Sequence, residues 1–145
     1  MLGSVPNAVF GDTPLSRPRV LLADDHSVML DRVGVLLSSS FEVVGAVANG
    51  QEMISEGIRL DPDVIVADIT MPGLSGIEAA QELREAGCRA NFVFLTIHIE
   101  HEIVDACVSQ GALGYVLKSH MKTDLIPAIK AALMGRTFIS PLVSR

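Results

Sequence analysis

Short, wholly apolar runs alternate along this chain with longer stretches in which apolar residues return every three or four positions. The runs, at about 19–23, 41–47, 64–67, 92–95 and 114–117, have the length and β-branched content of buried strands. The stretches between them read as helices. On the first, Met29, Leu30, Val33, Leu36 and Leu37 share a face. The second opens at Asn49 with Glu52 three residues on, a cap-like pairing, and stops before Pro62. The third begins Ser75-Gly76-Ile77-Glu78, a capping box in which each side chain satisfies a free backbone donor. It ends at Gly87, where a left-handed cap costs least. The fourth runs from about Glu100 to Gln110 and closes at Gly111. The fifth carries Leu125, Ile126, Ile129 and Leu133 on one face, with Pro127 read near the first turn, where a missing N–H matters least.

Five βα units with short connections force parallel strands and right-handed crossovers. The expected fold is therefore α/β: a (βα)5 doubly wound parallel sheet in the flavodoxin-like strand order 2-1-3-4-5. That order puts strands 1 and 3 side by side, and it gives meaning to the polar residues that end each run. Val20-Leu21-Leu22-Ala23 delivers Asp24 and Asp25, and Val64-Ile65-Val66-Ala67 delivers Asp68. Phe92-Val93-Phe94-Leu95 gives Thr96, and Gly114-Tyr115-Val116-Leu117 gives Lys118. All five groups meet at the C-terminal edge of the sheet, where open α/β sheets bind ligands.

Three carboxylates beside an amine and a hydroxyl suit a divalent cation and a phosphoryl group. Mg²⁺ takes oxygen ligands, so Asp25 and Asp68 are expected to bind it directly and Asp24 through a water. Asp68 sits in the middle of the edge, before the turn Ile69-Thr70-Met71-Pro72-Gly73, and is the candidate nucleophile toward phosphorus. The Thr96 hydroxyl would reach a phosphoryl group on Asp68 and draw the next loop inward. Tyr115, on the neighbouring strand, would fill the space vacated.

Composition narrows the functions further. A chain of 145 residues fits one domain, and 49% hydrophobic with 4% aromatic residues means an aliphatic core. A net charge of -6 disfavours DNA binding through this segment's own surface. Cys88 and Cys107 share no CxxC or zinc spacing and fit a reducing compartment as structural thiols. No apolar run approaches the ~20 residues that span a bilayer, and the N-terminus lacks a secretory layout, so a cytoplasmic protein is expected. Residues 1–18, with Gly3, Pro6, Gly11, Pro14 and Pro18, read as a flexible extension. His26, His98, His101 and His120 read as surface or helix-cap residues, and Met53, Met121 and Met134 as core or helix-face residues.

Asp24-Asp25, Asp68 followed by Met71-Pro72-Gly73, Thr96 and Lys118 together resemble the receiver domain of two-component response regulators, with its CheY-like fold, over about residues 18–141. Asp24-Asp25-His26 and the ending Gly135-Arg136-Thr137-Phe138-Ile139-Ser140-Pro141 resemble the NarL/FixJ subfamily, in which a receiver precedes a LuxR-type helix-turn-helix domain. The resemblance implies that Asp68 is the phosphoacceptor and that Asp24, Asp25 and the backbone carbonyl of Thr70 serve Mg²⁺. It implies that Thr96 and Tyr115 form the switch pair and that Lys118 contacts the phosphoryl group. A sensor histidine kinase would be the donor, and a homodimer through helices 1 and 5 or an equivalent face is compatible with the subfamily. DNA would be reached only through an output domain absent from this chain, with 142–145 the start of a linker to it.

Two positions depart from many receivers. Ile97 follows Thr96 where a small residue is common, and its bulk is expected to shield the acyl phosphate. Ser119 follows Lys118 where many relatives have proline, so no cis bond is expected there. A haloacid-dehalogenase-like phosphatase would need a second Asp two residues after the nucleophile, and position 70 is Thr. A nucleotide-binding module would need glycines in the first βα turn, which reads Asp24-Asp25-His26-Ser27.

Overall fold

The computed structural model describes residues 17–141. Most of the expected N-terminal extension, and the expected linker at 142–145, lie outside the described residues. The strands form where the apolar runs place them: β1 (Arg19–Ala23), β2 (Glu42–Val47), β3 (Val64–Ala67), β4 (Asn91–Thr96) and β5 (Gly114–Leu117). Between and after them lie α1 (Ser27–Leu37), α2 (Gly50–Leu60), α3 (Gly76–Glu85), α4 (His101–Ser109) and α5 (Met121–Leu133), the last preceded by one 3₁₀ turn over Lys118–His120. A sixth strand, β6 (Phe138–Ile139), completes an all-parallel sheet in the order β2-β1-β3-β4-β5-β6.

The expected order 2-1-3-4-5 is thus correct and is extended by one strand. A two-residue strand carries too little pattern to be read from sequence. It forms because the Phe138 amide donates to Leu113 O and the Ser140 amide to Tyr115 O.

The central strands are apolar at every position because helices cover both faces. Alternate residues face opposite ways. Leu21, Ile65, Phe92, Phe94 and Tyr115 pack with Met53 of α2, Leu83 of α3 and Val104 of α4. Val20, Leu22, Val66, Leu95 and Val116 pack with Val33 and Leu37 of α1 and with Leu125 and Ile129 of α5. No helix among the described residues is long and apolar enough to cross a membrane.

The caps form largely as read. Asn49 accepts from the Glu52 amide at 2.8 Å, and Ser75 and Glu78 close their capping box. Gly87 and Gly111 take positive φ of 90° and 84°. No cis peptide occurs among the described residues.

Three readings of the C-terminal helix need correction. Pro127 is not in the first turn: α5 starts at Met121, whose buried side chain anchors an extra turn, so Pro127 lies inside the helix. Pro127 and Thr123 are both exposed, so the Thr123 carbonyl that loses its helical donor is open to water. Leu133 is partly solvent-exposed, at 36%, because Ala128 and Ala132 occupy the core face and let the helix approach the sheet closely. Met134 is exposed just past the helix end, outside the core.

The turn after β3 is fixed by Gly76. Its amide donates to Ile69 O at 2.8 Å, and a Cβ there would collide with the Asp68 carbonyl oxygen. That obstacle is backbone and cannot rotate away. Gly76→Ala is expected to destabilise the fold by about 1–3 kcal/mol in urea denaturation, with helix content at zero urea retained.

Candidate functional site

Strand register brings the acidic residues together. Ala23 pairs with Ala67 across β1 and β3, so Asp24 and Asp68 stand side by side one residue past the strand ends. The Asp68 amide donates to Ala23 O at 2.8 Å and the Asp24 amide to Val47 O at 3.0 Å, which holds both residues in extended alignment. Both are buried, at 4% exposure for Asp24 and 5% for Asp68. Lys118, one residue beyond β5, reaches over the end of β4. Its Nζ lies 2.8 Å from Asp24 Oδ2 and 3.1 Å from Asp68 Oδ2. Asp25 is more open and faces the same cluster: one potential ligand atom from each of Asp24, Asp25, His26 and Asp68 lies within 4.8 Å of the others.

The electrostatics follow from burial. Desolvation raises the pKa of Asp68, and the Asp24 charge adds to the rise. The Lys118 hydrogen bond and charge oppose both without cancelling them. For Lys118, burial pulls the pKa down, but its bonds to Asp24 and Asp68 outweigh burial and the net shift is upward. The cluster is therefore short of positive charge. A small divalent cation is the species that two neighbouring carboxylates and an open rim fit.

Thr96 ends β4 fully buried, its Oγ1 accepting from the His98 amide at 3.1 Å. Tyr115 is buried too. Its hydroxyl donates to the His98 carbonyl at 2.8 Å, and burial first, then Cys107 and Glu100, push its pKa up. Burial pushes the Cys107 thiol up to about 12, which fits a structural thiol. Thr70, two residues after Asp68, is exposed, and its Oγ1 lies 2.9 Å from His98 Nε2. Ile97 is 75% exposed.

Asp24, Asp25, Asp68 and Lys118 are thus in direct proximity, with Thr96 and Tyr115 on the adjoining strands and Thr70 in the adjoining turn. Sequence reasoning missed two neighbours. His26 follows the acidic pair directly and turns its ring onto it. His98 links the β4–α4 loop to Thr70, and nothing in its local sequence signals that contact.

Comparison with known proteins decides what this pocket belongs to. The family model of the response regulator receiver domain matches residues 20–130. The chain is a response regulator receiver. Among curated relatives, the nitrate/nitrite response regulator NarL of Escherichia coli is 35% identical over 123 residues, 83% of this chain and 57% of NarL. The uncharacterised transcriptional regulatory protein YvfU of Bacillus subtilis is 34% identical over 125 residues, 85% of this chain and 62% of YvfU. The receiver therefore spans about three fifths of the length of such relatives. A LuxR-family two-component response regulator from an Aurantimonas species superposes with TM-score 0.84 at 32% identity, covering 88% of this chain and 93% of that one. The isolated receiver of RcsB from Salmonella enterica, solved with the phosphomimetic BeF3-, gives TM-score 0.81 at 28% identity, covering 89% and 97%. As a receiver the chain is a phosphoacceptor switch rather than a turnover enzyme, and its acidic cluster is consistent with the family's metal site.

The raised pKa of Asp68 has a consequence for stability. A carboxyl whose folded pKa lies above its unfolded value favours the fold below the unfolded pKa and loses that contribution as pH rises through the folded one. At neutral pH its charge therefore works against folding. Asp68→Asn is expected to melt above the wild type at pH 7, with the gap closing as pH falls through the carboxylate range. A variant that melts lower at pH 7 would contradict this electrostatic account.

Proposed function

We propose that Asp68 accepts a phosphoryl group from a sensor histidine kinase, in a pocket that holds Mg²⁺, and that the modified surface controls a DNA-binding output elsewhere in the full-length protein. The observation that carries the reading is Lys118 Nζ placed between Asp24 and Asp68 at the C-terminal edge of the sheet. Lys118 holds Asp68 Oδ2, which leaves Oδ1 without a side-chain partner among the described residues. An Asp68 oxygen attacks phosphorus, forming a P–O bond as the P–N bond of the phosphohistidine breaks. The bonding pair leaves with the imidazole nitrogen. Burial makes Asp68 more basic and so a better nucleophile, while Lys118 favours its ionised form.

Mg²⁺ held by Asp25, Asp68 and the Thr70 carbonyl, with Asp24 acting through a water, would neutralise charge on the phosphoryl oxygens. Lys118 then contacts the phosphoryl group. Thr96 already accepts from the His98 amide, so its own hydroxyl hydrogen is available to donate to a phosphoryl oxygen. Contacts of this charge-assisted kind contribute about 1.5–3 kcal/mol each. A switch from 1:99 to 99:1 needs about 5.5 kcal/mol, so Lys118 and Thr96 together are of the required size. Tyr115 is already inward, bonded to the loop that Thr96 would hold. Phosphorylation would tighten this arrangement.

Incubation with Mg²⁺ and a small acyl phosphate or phosphoramidate is expected to add one phosphoryl mass, absent in Asp68→Asn. No mass gain in the wild type would overturn the reading. Tyr115 is the single tyrosine and the chain has no tryptophan, so its intrinsic fluorescence reports the switch position directly.

Pairing of two receivers is suggested by the NarL/FixJ likeness and by the solved RcsB dimers bound to two parallel DNAs. On α1, Val28 and Val35 are exposed, and Val35 lines a surface groove with Leu36 and Met121, a surface suited to association. Sedimentation velocity with and without beryllofluoride is expected to show a larger species with the mimic; an unchanged mass would exclude modification-driven pairing.

A further inference from the structure

Asp24 has no free oxygen. Its Oδ1 accepts from the His26 amide at 2.9 Å and lies 3.1 Å from the His26 ring Nδ1, while Oδ2 holds Lys118. His26 stands at the N-cap of α1, a position normally used by a side-chain oxygen that accepts from the first helical amides. The imidazole makes no such bond. It turns back onto the pocket, its Nδ1 also 3.3 Å from Asp25 Oδ1. Its backbone amide, bonded to Asp24, holds it at the rim. Its side chain, 68% exposed, keeps the freedom to rotate.

The ring thus occupies the open side of the cluster whose other members are Asp24, Asp25 and Asp68, with ligand atoms within 4.8 Å of one another. Donors on opposite sides of a small divalent ion lie about 4.2 Å apart, so closing the set requires only small rotations. The bonds to Asp24 and Asp25 use Nδ1–H; once that proton leaves to water and Nε2 takes one up, the neutral ring presents a lone pair at Nδ1 for a cation. Carboxylates and carbonyls suit Mg²⁺, whereas imidazole nitrogen favours ions such as Ni²⁺ and Zn²⁺.

We propose that His26 is a nitrogen donor to the cation held by Asp25 and Asp68, and that it shifts the pocket's preference from Mg²⁺ toward transition-metal ions. The inference rests on the metal pocket of the proposed function and adds a ligand to it. It assigns His26 a second role besides its hydrogen bonds to Asp24 and Asp25: those bonds hold the ring in place until a cation arrives.

The test uses the 145-residue chain, wild type and His26→Gln, with Mn²⁺, Ni²⁺ and Mg²⁺ alone. Mn²⁺ bound to the wild type is expected to show electron spin-echo modulation from a directly ligated ¹⁴N, and His26→Gln is expected to lose it. Calorimetry is expected to show Ni²⁺ binding weakened about tenfold or more in His26→Gln, the scale of losing a supporting metal-site group. Mg²⁺ affinity should change less than about twofold, because that ion takes oxygen donors. His26 is exposed at a helix start, so the variant is expected to fold, with unchanged helical circular dichroism as the check. Bound Mn²⁺ without nitrogen modulation would overturn the His26 assignment and leave the carboxylate pocket intact. Modulation that persists in His26→Gln would place another histidine there and overturn it equally. Failure of the wild type to bind Mn²⁺ at all would overturn the pocket reading beneath it as well.

Discussion

Two carboxylates buried side by side cannot both stay charged without a cation between them, and Lys118 is that cation in this fold. Parallel register creates the problem: β1 and β3 end in step, and each delivers an aspartate to the same line. The strand order supplies the answer. β5 lies beyond β4, so its lysine must cross the end of β4 to reach Asp68, and the residue there, Thr96, is small. One ammonium facing three carboxylates leaves the edge negative. That residual charge links the stability of the domain, its affinity for a cation and its readiness to accept a phosphoryl group. A bound cation relieves the electrostatic strain, whereas a phosphoryl group adds negative charge and so depends on that cation.

The fold and pocket were legible because buried parallel strands abolish polar alternation. A run such as Val64-Ile65-Val66-Ala67 has to stop where the sheet stops, and the next residue, Asp68, is then at the edge. The strand ends therefore announce the site. Features that depend on distant partners were not legible. β6 is two residues held by bonds to Leu113 and Tyr115, and no periodicity can show over that length. Pro127 reads as a helix start by its own chemistry, but burial of Met121 outweighs that preference and extends α5 backward. Leu133 looks like a core residue by spacing, yet Ala128 and Ala132 pack there because a small face lets helix and sheet approach. His98 gives no local sign that its ring meets Thr70, since the two stand 28 positions apart.

His98 shows how the pocket connects to its surroundings. Its amide donates to Thr96, its carbonyl accepts from Tyr115, and its ring spans Thr70 and Glu100. One residue thus ties the turn after β3 to the start of α4 and to the aromatic ring beneath. A displacement of Thr96 by a ligand on Asp68 would be felt by all of these partners, because they share one short loop.

A second line runs the other way, toward the C-terminal strand. Ser140, fully buried, accepts from the Leu117 amide at 3.1 Å and donates to Asp124 Oδ2 at 2.8 Å. Leu117 immediately precedes Lys118, and Asp124 lies in the first turn of α5. The last strand is therefore clipped to the backbone that aims the lysine. Removing a buried hydroxyl with two partners would leave both unsatisfied, so the clip is energetically costly to open. The pocket sits between a loop fastened by weak, partly exposed contacts and a strand fastened by buried ones. By that contrast, a change of charge at Asp68 is expected to move the loop before the strand.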